Sequence, residues 1–131
     1  MKKFLKRWKW LTMATLVIVI LSLVPIPDNP PLEDVPLIDK WVHFVIYAGL
    51  VFAAWLDRWQ NKSTVGWWTF AALICLFASL LGGFLEVAQG CTGYRSCEML
   101  DFYADTIGAL LATLIVVVGH LLRGADHRRP F

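Results

Sequence analysis

Nine residues of this 131-residue chain are charged, titratable or amide-bearing at positions flanked by apolar sequence: Asp39, Lys40, His43, Tyr47, Glu86, Gln89, Arg95, Asp101 and Asp105. On an α-helix, at about 100° per residue, Asp39, Lys40, His43 and Tyr47 share an arc of about 100°. Glu86 and Gln89 share a face of about 120° with Ser79, Gly82, Gly83 and Gly90, and Asp101 and Asp105 share one of about 100° with Gly108, Ala109 and Ala112. Carboxylate, imidazole and guanidinium together suit general acid–base transfer, metal-assisted attack on a phosphoester or acyl group, or clamping of an anionic headgroup. Glu86, His43 and Asp101 are the candidates for acid–base work. Asp39, Lys40, Tyr47, Gln89, Arg95 and Asp105 are the candidates for ligand contact. The residue types do not choose among these chemistries, and whether the chain is an enzyme stays open at this level.

Local electrostatics separate these residues. Asp39 and Asp101 stand where helices begin, so capping and the helix dipole suffice to explain either. Glu86 stands near the end of a helix, where the dipole disfavours an anion, so it needs Arg95, Lys40, a protonated His43, its own proton or a cation. Asp101 and Asp105 lie one turn apart with like charge, which is unfavourable without something positive or a shared proton between them. Four carboxylates (Asp39, Glu86, Asp101, Asp105) against Lys40 and Arg95 leave a net of −2 with His43 neutral. A bound divalent cation would balance that charge. The competing reading is a buried hydrogen-bonded network that fixes helix register, in a structural bundle or a non-enzymatic helper subunit of a larger membrane partner.

Of the residues, 58% are hydrophobic and 17% charged, and the mean hydropathy is +0.60. So small a water-soluble globule cannot hide that apolar fraction, so the solvent is lipid. Four apolar runs predict an all-α polytopic membrane protein, one domain over 1–131, with spans at about 8–24, 40–56, 66–89 and 102–122 in a compact bundle. The first run has a basic head and could be read as a signal peptide, but Leu21-Ser22-Leu23-Val24 before Pro25 offers no small-x-small cleavage site. Small residues on the polar faces let the helices approach closely and turn those faces inward. Lys and Arg stay on the cytoplasmic side of short loops. With both termini cytoplasmic, ten of the 12 basic residues lie inside and only Lys40 and Arg95 face outward, so all nine polar residues gather at the outer membrane face. This layout predicts a multi-pass protein of a bacterial cytoplasmic membrane.

Cys91 and Cys97 both fall in the second outer loop, where an oxidising exterior would let them close a small ring. Cys75, inside the third span, reads as a small buried apolar residue. The outer aromatics Trp41, Tyr94, Phe102 and Tyr103 and the inner Trp55, Trp59, Trp67 and Trp68 read as interfacial belts. His120 and His127 read as interfacial or solvated, near the cytoplasmic end. A formal charge of +2 gives no footprint for nucleic acid, and there is no phosphate-binding glycine loop, nucleophile elbow or His-Glu-x-x-His zinc helix. Soluble cofactors are not implied.

The pattern Asp39-Lys40-x2-His43-x3-Tyr47, then Glu86-x2-Gln89, then Arg95-x5-Asp101-x3-Asp105-x2-Gly108 resembles the VanZ-like family of small membrane proteins, over residues 39–112. The three motifs in this order and spacing are specific together, where any one alone is weak. The resemblance implies a compact helical membrane unit and a link to low-level resistance to the glycopeptide teicoplanin. It supplies no reaction. Many VanZ-like chains have Asn where this one has Asp105, a difference that adds negative charge and leaves a polar contact intact but argues against a metal ligand being required at that position. Together these readings point to an outward polar pocket for a membrane lipid or a lipid-linked envelope precursor. A protein partner or a homo-oligomer is the alternative the residues leave open.

Overall fold

The computed structural model describes residues 2–24, 37–92 and 98–126, and every element among them is an α-helix. These are α1 (Lys2–Arg7), α2 (Lys9–Leu23), α3 (Ile38–Gln60), α4 (Trp67–Thr92) and α5 (Met99–Asp126). Tyr94, Arg95, Cys97 and His127, and with them the expected Cys91–Cys97 ring, lie outside the described residues. Three helices, α3, α4 and α5, are long and apolar enough to cross a membrane. The 15 residues of α2 are also apolar, but at 1.5 Å per residue they extend about 22 Å, short of a hydrocarbon core of about 30 Å.

The span expected to stop at Leu56 is part of a helix that runs on to Gln60, because nothing between Asp57 and Gln60 breaks it and both Asp57 and Arg58 are buried. The end is a Schellman motif. The Lys62 and Ser63 N–H groups donate to the carbonyls of Trp59 and Arg58, both at 3.3 Å, and Lys62 takes the left-handed conformation (φ 47°) usually left to glycine.

The largest interface joins α3 to α5, with α4 against α5 and α2 against α3 next. Its core contains Leu50, Val51, Ala54 and Trp55 of α3, Ala78 of α4 and Ala109 of α5, all without exposed surface. The alanines bring helix backbones close where lipid supplies no hydrophobic drive. Gly108 marks the tightest crossing, since a Cβ there would sit 2.4 Å from the Phe44 carbonyl oxygen. Leu80, Phe84 and Val87 of α4, and Leu114, Ile115 and Leu122 of α5, point outward with more than half their surface exposed. Apolar exteriors of this kind suit a lipid solvent.

Aromatic side chains close one end of the bundle. Trp55 was expected in an interfacial belt but has no exposed surface; it stacks on Trp67 at 4.9 Å and meets Phe70 edge-on at 4.8 Å. The Arg58 guanidinium, on the same helix, lies over Phe70, Trp67 and Trp55 at 4.9, 5.1 and 5.6 Å. A desolvated guanidinium is held well by ring faces, which explains why Trp55 is drawn into the core with Arg58. Trp59 and Trp68 remain exposed, as belt residues would be. His120 is exposed and stacks on Trp67 at 3.5 Å.

Candidate functional site

At the opposite end from this aromatic cluster, the start of α3, the end of α4 and the start of α5 meet, and the polar residues form two layers. In the upper layer the Lys40 ammonium lies 2.5 Å from Asp39 Oδ2, 2.5 Å from Glu98 Oε2 and 2.9 Å from Asp101 Oδ1. The Asp101 contact is a charge attraction outside hydrogen-bonding angles. The side chains of Asp39 and Glu98 are nearly half exposed (45% and 44%), while Asp101 is buried. One ammonium therefore serves three carboxylates at a rim open on one side.

In the lower layer His43 Nδ1 pairs with Asp105 Oδ1 at 2.9 Å, joining α3 to α5. Glu86, from α4, is buried and its Oε2 accepts the backbone N–H of Glu98 at 3.0 Å. That bond answers the dipole problem at the end of α4, because the N–H comes from the chain entering α5, where donors are unsatisfied. One ligand-capable atom from each of His43, Glu86 and Asp105 lies within 4.8 Å of the others, and Asp39, Glu98 and Asp101 form a second such group. Tyr47 is buried one turn further along α3.

Gln89 is directed elsewhere. Its Nε2 donates to the Ser22 carbonyl at 3.0 Å and ties α4 to the end of α2. Arg95 lies outside the described residues. Sequence reasoning missed Glu98, whose carboxylate binds Lys40 and whose backbone supports Glu86. Its position just before the acidic start of α5 was the one available signal. It also missed the second polar cluster, in which the buried Asp57 accepts the Leu11 N–H at 2.8 Å and so caps α2 from another helix. There the signal was a charged pair inside the aromatic stretch Trp55 to Trp59.

Among the described residues the site counts five carboxylates, Asp39, Glu86, Glu98, Asp101 and Asp105, against the single ammonium of Lys40. Such an arrangement can hold a cation, shuttle a proton between His43 and a carboxylate, or receive a ligand with positive charge at its rim. No curated protein and no solved structure matches the chain. The family profile described as VanZ/LLP1 matches residues 2–122, reaching beyond the 39–112 of the motif resemblance to take in the N-terminal helices. With these motifs, this helical bundle and a match over nearly the whole length, the chain belongs to the VanZ/LLP1 family.

Proposed function

We propose that this membrane protein lies in a bacterial cytoplasmic membrane with its polar end outward, and that the two-layered site binds the charged headgroup of a membrane lipid or a lipid-linked envelope precursor. Binding there would alter the envelope met by teicoplanin and lower susceptibility to it. The observation that carries the reading is the upper layer: an ammonium held among three carboxylates, two of them nearly half exposed, on helices whose outer faces are apolar. Charged groups are costly at membrane depth and are kept there chiefly where they act on something. The negative excess favours a headgroup with an amine, or a phosphate accompanied by a cation.

Glu86 supports the test. In a teicoplanin-sensitive host at matched membrane levels, the wild-type chain is expected to raise the teicoplanin concentration tolerated, and Glu86→Gln, which keeps shape and removes charge, to abolish the protection. Equal protection by both would end the case for the polar site. Protection by neither would detach this chain from the glycopeptide phenotype.

A further inference from the structure

The two carboxylate groups of the site differ in one respect. In the upper one, Asp39, Glu98 and Asp101 enclose the Lys40 ammonium, which stands 2.5 to 2.9 Å from an oxygen of each. The lower one, His43, Glu86 and Asp105, has the same mutual spacing, within 4.8 Å, but among the described residues no lysine or arginine forms an ion pair with Glu86 or Asp105. We infer that His43, Glu86 and Asp105 form a site for one divalent first-row transition-metal cation inside the helix bundle.

Three observations support the assignment. The ligands come one each from α3, α4 and α5, and they are enclosed: Glu86 is 3% exposed, Asp105 1%, and the His43 side chain 12%. Two carboxylates this close in a dry interior repel each other, and a dication between them and a neutral imidazole brings the site to zero charge. The space is also kept by the backbone. A Cβ at Gly82, one turn before Glu86, would lie 2.6 Å from Asp105 Oδ2, so glycine leaves room for that carboxylate where any other residue would push it aside. Finally, the donor set selects the metal class. Two oxygens and one imidazole nitrogen suit Mn2+, Fe2+, Co2+ or Zn2+, whereas Mg2+ and Ca2+ prefer oxygen throughout. Three protein ligands leave coordination positions for water or for a phosphate oxygen, so the cation deepens the headgroup reading and, in its role though not in its binding, rests on it.

The test uses the full chain in detergent without a polyhistidine tag, titrated with Co2+ and followed by visible absorption, with bound metal measured after dialysis against Zn2+ or Mn2+. The expected result is one equivalent per chain, unchanged by thiol alkylation and unchanged in Asp57→Asn, which alters a buried carboxylate at the other end of the bundle. Asp105→Asn keeps the shape and can still accept from His43, and it should weaken binding at least about tenfold, as should Glu86→Gln. Zn2+ should raise the thermal unfolding midpoint of the wild type and not that of Asp105→Asn. Absence of stoichiometric binding, binding abolished by alkylation, or Asp105→Asn binding like wild type would each overturn the inference. If Glu86→Gln does not fold, Asp105→Asn and the wild-type stoichiometry still decide. Retention of phosphate-bearing lipid by wild type that binds no metal would overturn the cation and leave the headgroup reading. A bound cation with no lipid retained would do the reverse.

Discussion

Lys40 is the residue on which the rim depends. Replacing it with methionine keeps the aliphatic stem but leaves Asp39, Glu98 and Asp101 facing one another. Water screens Asp39 and Glu98, which are nearly half exposed, so the loss should fall below the roughly 3–5 kcal/mol of breaking a fully buried pair; about 1–3 kcal/mol is expected, as a lowered unfolding midpoint in detergent. Combining Lys40→Met with Asp101→Asn should recover much of it, because the buried carboxylate is then neutral; strictly additive losses would show that the two do not interact. Much of this site was legible in the sequence, since helical spacing alone put Asp39, Lys40 and His43 on one face and Asp101 and Asp105 on another, and the structure sets those faces together. Helical spacing did not reveal Glu98, because it precedes α5 and no period governs a residue outside a helix. Gln89 shared the face of Glu86, yet hydrogen-bonding to α2 depends on where α2 packs, which periodicity does not report.

Among the elements, the α3–α5 crossing is fixed by Gly108. Gly108→Ala would drive a methyl into the Phe44 carbonyl, and since backbone cannot move aside as a flexible side chain can, the helices must separate. Overpacking of this kind costs about 1–3 kcal/mol, and it would also pull His43 from Asp105, one turn from the contact. Gly119→Ala, on the same helix with nothing within 4 Å of the added carbon, should leave the unfolding midpoint near wild type. Equal effects at the two positions would mean that close approach does not organise the pair. At the far end of α3, Lys62→Gly should stabilise by about 1 kcal/mol by relieving a left-handed residue at the Schellman turn, measured by thermal unfolding in detergent. Apolar runs located all the long helices, but the extension of α3 through Asp57 and Arg58 was hidden. Charge in a sequence reads as the end of a span, whereas here a backbone N–H from α2 and three aromatic rings accommodate the two side chains inside the fold.

At the scale of the whole molecule, two hydrogen bonds place α2. Leu11 near its start meets Asp57 close to the end of α3, and Ser22 near its finish meets Gln89 close to the end of α4, so α2 runs antiparallel to α3 from the aromatic end to the polar end. A helix too short to span alone is thus clamped at both ends by side chains reaching toward it from longer neighbours. Lys6, Arg7 and Lys9 consequently gather at the same end as Arg58, Lys62 and Arg123, while Lys40 stands at the other. Basic residues resist transfer across the membrane, which predicts that the aromatic end is cytoplasmic and the polar site faces out. Cysteines introduced singly at Ser63 and at Met99, in a chain with the native cysteines replaced by serine, report on the two ends. In intact cells a membrane-impermeant maleimide should label Met99→Cys and spare Ser63→Cys until the cells are opened. Labelling of Ser63→Cys alone in intact cells would invert the protein and turn the site toward the cytoplasm, where a lipid headgroup of the inner leaflet, and no extracellular antibiotic target, would be its neighbour.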